Sequence, residues 1–177
     1  HISGDGEPDP RIQAELLVHD QYRVLASARH PLAGQHGIGP AALLEQPWVF
    51  GRRLGTIEAA FGQRFAQAGL EPPSNAMETG SPEFLRAMVE TGGYLTLLPL
   101  RLAQAELEAG RWRALDAPGF AWQRPVRVYT RAGEPQSAPL ARFLQALRNA
   151  AAPLDRDSTR GDLPQDRLSY TYTIKAI

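Results

Sequence analysis

The sequence predicts an α/β fold, a mainly parallel sheet with helices on both faces. Short apolar segments of strand length alternate with amphipathic segments of helix length. Four of the helical segments open on Ser or Pro and three close on Gly. No apolar run approaches the length needed to span a bilayer.

A first strand is expected from about Glu15 to Ala28, through Leu16, Leu17, Val18, Tyr22, Val24 and Leu25; it is long, and open to interruption at Asp20-Gln21. Arg29-His30-Pro31-Leu32-Ala33-Gly34 reads as a turn, with Pro fixing φ and Gly following. Pro40 suits the first position of a short helix over Ala41–Gln46, and Pro47-Trp48-Val49-Phe50 is a short buried strand. Ile57, Phe61, Phe65 and Ala68 repeat at helical spacing, and Gly69 supplies a left-handed cap. Ser81-Pro82 is an N-cap with Pro at the first helical position, before an apolar face of Phe84, Leu85, Met88 and Val89 closed by Gly92.

Tyr94–Leu98 is strand-like, and Pro99 opens a third helix through Leu102, Ala103 and Leu107 to Gly110. Arg113–Leu115 and Pro125–Arg131 are further strands, the second alternating Val126, Val128 and Thr130 against Arg127, Tyr129 and Arg131. A final helix begins near Ser137 and buries Leu140, Phe143, Leu144 and Leu147. From Pro153 the character changes: Asp155–Asp162 is polar and reads as a loop. Leu168, Tyr170, Tyr172 and Ile174 then alternate with polar residues, the pattern of a half-buried strand expected to pair with a sheet edge.

Composition narrows the functions. A chain of 177 residues holds one ordinary domain, or roughly one and a half small lobes, and an apolar fraction of 43% argues against disorder. The absence of Cys excludes disulfides and the usual structural zinc sites and fits a cytoplasmic protein, and the four His show no metal-ligand spacing. Neither a secretion signal nor a starting Met is present, so the chain is expected to begin inside a longer protein. Lys plus Arg balances Asp plus Glu at 19 each, without the basic excess of a surface that grips phosphate backbone. No Ser, His and acid fall in a recognisable catalytic order, so no enzyme is expected, and no cofactor or metal is implied.

The order of motifs resembles a family. His30-Pro31-Leu32-Ala33 is followed by Leu43-Leu44-Glu45-Gln46-Pro47-Trp48-Val49, then Ala68-Gly69-Leu70-Glu71-Pro72 and Glu78-Thr79-Gly80-Ser81-Pro82-Glu83. Leu85–Gly92 and Leu95-Thr96-Leu97-Leu98-Pro99 complete the series. Each motif is weak alone; together, from about Ile2 to Ala150, they are similar to the effector-binding domain of LysR-type transcriptional regulators. One departure is Gly92-Gly93-Tyr94, where the family has Gly, any residue, Gly.

The resemblance implies a periplasmic-binding-protein-like (type 2) domain of two Rossmann-like lobes, joined by crossing strands, with a small-molecule cleft between them. On that template residues 1–21 end the first lobe and cross over, 22–123 form the second lobe, 124–152 return as a strand and C-terminal helix of the first lobe, and 153–177 are a tail. The N-terminal winged helix-turn-helix and most of the first lobe would lie outside this sequence. DNA would then be met only through that missing domain, no membrane would be involved, and a dimer or tetramer is implied.

Two strand-to-helix junctions are candidate effector sites, because helix N-termini at strand ends point backbone amides outward. In Gly51-Arg52-Arg53-Leu54-Gly55-Thr56, free amides and two guanidiniums would suit a carboxylate or phosphate. The alternative is that Arg52 and Arg53 are solvated and Thr56 is only an N-cap. In Met77-Glu78-Thr79-Gly80-Ser81, Gly80 would let a ligand approach the backbone, and Ser81 either serves that ligand or only caps its helix. The expected function is an effector-binding module sensing a small, anionic metabolite; the alternative is a solute-binding protein of a transport system, which shares the two-lobed fold.

Overall fold

The computed structural model describes residues 10–51, 55–74, 76–133, 137–158 and 172–175. Leu168–Thr171, the first part of the tail strand expected above, lies outside the described residues. The chain divides into two units, one of residues 21–122 and one of residues 1–20 with 123–177.

The first strand, β1, runs unbroken from Ile12 to Ser27. Asp20-Gln21 does not interrupt it, since a strand is held by its backbone ladder, and alternation of side chains reports only which face is wet. Its second half, with Tyr22, Val24, Leu25 and Ala26 buried, is the spine of the 21–122 unit. There follow α1 (Pro40–Leu44), β2 (Val49–Gly51), α2 (Gly55–Gln67), β3 (Met77–Thr79), α3 (Pro82–Thr91) and β4 (Thr96–Pro99). The expected third helix is a 3-10 turn, Leu100–Ala103, leading into α4 (Gln104–Glu108), with β5 (Trp112–Ala114) after it. Gly69 ends α2 at φ +71°, the left-handed conformation expected of a glycine cap.

The expectation of a mainly parallel sheet is corrected by the ladders. β1 pairs antiparallel with β4, Leu25 opposite Thr96, and with β5, Leu25 opposite Ala114. Parallel pairing joins β2 to β3, and a single parallel bridge, Trp48 to Leu95, joins the start of β2 to β4. The short strands linked through α2 and α3 are parallel as right-handed crossovers require, whereas β1 enters before any crossover and its direction is free of that rule. The fold class is thus α/β with mixed strand directions.

Helices cover both faces of this unit. On one, α2 lays Phe61 and Phe65 against Trp48, Phe50 and Phe120, with Tyr22, Val24 and Leu97 among the buried side chains of the strands. On the other, Leu85 and Val89 of α3 and Ala103 beside α4 join Leu25, Val49 and Trp112 in a cluster that is aliphatic but for the one indole.

In the second unit β6 (Trp122–Arg131) lies beside β1 in the sheet, and α5 spans Ala138–Ser158. Arg148 of α5 holds Glu15 of β1 by two hydrogen bonds of 2.7 Å, and the hydrogen-bonded guanidinium keeps the Glu15 carboxyl below its usual range. The strand β7, Tyr172–Lys175, pairs parallel with β6, Val126 opposite Tyr172. The reading of Asp155–Asp162 as a loop is corrected in part, because α5 continues through Pro153 to Ser158. Proline removes one intrahelical donor and crowds the preceding turn without forbidding helical φ, and Ala151, buried just before it, keeps that turn packed.

Candidate functional site

The two candidate junctions leave adjacent parallel strands. Val49 lies opposite Met77 and Gly51 opposite Thr79, so β2 and β3 end side by side. From that shared end the chain enters α2 at Gly55 and α3 at Pro82. The backbone of Gly55 and Thr56 forms the first turn of α2, and Gly80 and Ser81 form the approach to α3. The structure therefore brings Gly55, Thr56, Gly80 and Ser81 to one end of the sheet; Arg52 and Arg53 lie outside the described residues.

The α3 junction is closed on itself. The Ser81 hydroxyl oxygen accepts from Phe84 N at 3.1 Å, and the hydroxyl donates to Glu83 Oε2 at 3.0 Å. Ser81 N donates to Thr79 Oγ1 at 3.1 Å, Leu85 N to Ser81 O at 3.1 Å, and Pro82 has no N–H. The Glu83 backbone amide bonds its own carboxylate, and this, more than the Ser81 hydroxyl, holds the acid below its ordinary range. A fixed carboxylate thus sits where a helix N-terminus would otherwise favour an anion. The reading of Ser81 as a cap holds; Glu83 was missed, although an acid in the first helical turn is a recognisable sign of self-capping.

On the opposite flank of α3, Gly92 donates its N–H to Met88 O at 2.9 Å and Gly93 turns the chain at φ +68°. A Cβ on Gly92 would stand 2.8 Å from Met88 O and 3.0 Å from Tyr94 Cδ2. Tyr94, the residue that departs from the family pattern, is therefore packed over a position only glycine can fill. Near it His30 is buried, and its Nδ1 accepts from Leu32 N at 3.1 Å, which requires neutral imidazole. Burial holds its pKa below 6.5, against an opposing hydrogen bond with the Gly93 backbone. His30 thus links the turn after β1 to the turn after α3, and its chemistry is that of a structural residue.

Among the described residues no group of three or more His, Asp or Glu could hold a metal ion, and no helix is long and apolar enough to cross a membrane.

Comparison with known proteins places these features. Residues 2–152 match the family model described as the LysR substrate binding domain. The chain is 27% identical over 141 residues to a RuBisCO operon transcriptional regulator of Allochromatium vinosum, covering 80% of this chain and 46% of that protein. It is 28% identical over 152 residues to the regulator of the same description from Acidithiobacillus ferrooxidans, covering 86% of this chain and 49% of that one. This chain spans about half the length of these curated relatives. Among solved structures it superposes on the regulatory domain of Synechocystis CcmR, determined in complex with 2-PG, with a TM-score of 0.64 at 21% identity, covering 82% of this chain and 70% of that one.

Proposed function

The chain belongs to the LysR substrate-binding domain family, and we propose that it is the effector-sensing module of a DNA-binding transcription regulator. The effector is a small anionic metabolite whose charged group is received at the junction from β2 to α2. Arg52 and Arg53 supply guanidiniums there, and the first-turn amides of Gly55 and Thr56 supply the positive end of α2. Gly80 and Ser81, on the neighbouring junction, border the same strand ends. The observation that supports this reading is the register of Gly51 on Thr79, which sends both helices out from adjacent strand ends. The closed state of the α3 junction favours the α2 junction as the place for the negative group, because Glu83 already occupies the former.

In the whole protein, DNA contacts belong to a winged helix-turn-helix outside this chain, the regulator acts in the cytoplasm as a dimer or tetramer, and no catalysis is involved. Calorimetric titration of the chain with a panel of small carboxylates and phosphorylated acids tests the site. Arg52→Ala with Arg53→Ala is expected to weaken the tightest binder by about 1.5–3 kcal/mol for each charge-assisted hydrogen bond lost. Equal affinity in wild type and double variant would refute the assignment.

A further inference from the structure

The two strands that carry the chain into and out of the 21–122 unit meet at an aromatic stack. β1 crosses the division between Asp20 and Gln21, and β6 crosses it between Trp122 and Gln123. Just inside it stand Tyr22, the second residue of the unit, on β1, and Trp122, the last residue of the unit and the first of β6, with ring centroids 5.5 Å apart and planes within 6°. The guanidinium carbon of Arg64 lies 3.8 Å from the Trp122 ring centroid. Both rings are buried, at 0% exposure for Tyr22 and 1% for Trp122. Arg64 is anchored from behind, its Nη1 donating to Ala60 O at 2.9 Å within α2.

A cation over an indole face is strongest where water is excluded, and stacked rings resist sliding. We propose that Arg64, Trp122 and Tyr22 form a collar that clamps both connecting strands to α2. Bending of the connections is then confined to residues outside it, Asp20-Gln21 on β1 and Gln123-Arg124 on β6. Arg64 acts here as a positioning residue: it holds Trp122, and Trp122 holds Tyr22. Within a continuous strand there is otherwise no local break to say where flexing should stop, since β1 has neither Gly nor Pro from Ile12 to Ser27. The collar needs no effector and is in place whether or not the α2 junction is the binding site.

Amide hydrogen exchange of the full chain, read residue by residue by NMR, tests it. The wild type is expected to show a step in protection at Asp20-Gln21 and at Gln123-Arg124. In Arg64→Met, which keeps the apolar stem and removes the charge, the step moves inward on both strands. Amides from Tyr22 to Val24 then exchange on the order of tenfold faster, the effect of losing one half-buried cation–π contact. Arg64→Lys, which keeps a cation, restores the wild-type positions. If Arg64→Met leaves the step in place, or lowers protection equally at Val49–Gly51 and Met77–Thr79, the contact is ordinary packing and the collar is refuted.

Discussion

The α2 side of the 21–122 unit is packed with rings. Trp48, Phe50, Phe61, Phe65 and Phe120 meet at centroid distances of 4.6–5.8 Å, all edge to face except the stacked Trp48–Phe50 pair. The indole N–H of Trp48 is satisfied by Leu43 O at 2.9 Å. The α3 side is mainly aliphatic, built on Leu25, Val49, Leu85 and Val89 around a single indole, Trp112, and polar groups are set into it. Thr96 shares the face of Leu25, its partner across the ladder, and its buried Oγ1 has no partner among the described residues. Trp112 Nε1 and Glu106 Oε2 are in the same condition. Rings buy shape specificity with few polar atoms to satisfy, so the first face concentrates stability. The second carries unpaired groups, each costing part of what its apolar neighbours contribute.

That contrast breaks most sharply at Phe65. Truncation to Ala removes the ring that bridges Phe61 and Phe120 and is expected to cost about 3–5 kcal/mol, measured by chemical denaturation. A loss under 1 kcal/mol, on the scale of a surface substitution, would mean that the ring cluster is not where the stability resides.

On the other face, Glu106 is buried and bonded through Oε1 to Arg86 Nε at 2.7 Å, with Arg111 Nη2 at 4.0 Å. Burial pushes its pKa up, but the hydrogen bonds from its own backbone amide and Arg86, with the two guanidinium charges, outweigh burial and leave it below 4.5. A depressed carboxylate contributes stability that is complete above the unfolded value of 4.5 and is lost as pH falls through the lower folded value. Arg86→Met removes one hydrogen bond and one guanidinium charge from the downward pull, leaving the backbone amide and Arg111. It is expected to cost about 1–3 kcal/mol at neutral pH and to start the acid-induced loss at higher pH. Parallel stability–pH curves for variant and wild type would show that Arg86 does not hold the carboxylate.

The smallest effect has the opposite sign. Thr96→Val keeps the branched shape and removes the orphaned hydroxyl, so it is expected to stabilise by up to about 1 kcal/mol. Thermal unfolding that shows a loss instead would reveal a partner for Oγ1 and erase this part of the contrast between the faces.

Much of this was legible beforehand where the signal is local. The Phe61–Phe65 spacing, the Gly69 turn and the Ser81-Pro82 start each depend on residues within a turn or two, and each lies where expected. The succession of motifs also placed the chain in its family before any coordinates. The site was legible only as a pair of junctions. That one of them is filled by Glu83 depends on side-chain geometry around Ser81, which spacing does not specify.

By itself the sequence determined where α2 and α3 run, and the family, because periodicity, caps and motif order are properties of neighbouring residues. Only the tertiary structure decided that β1 runs unbroken and antiparallel to β4 and β5, that α5 passes Pro153, and that Tyr22, Arg64 and Trp122 meet. Apolar alternation says that a face is buried without saying against what, or in which direction the covering strand runs. Residues 100 and 58 positions apart become neighbours only when the ladders and helices between them have closed.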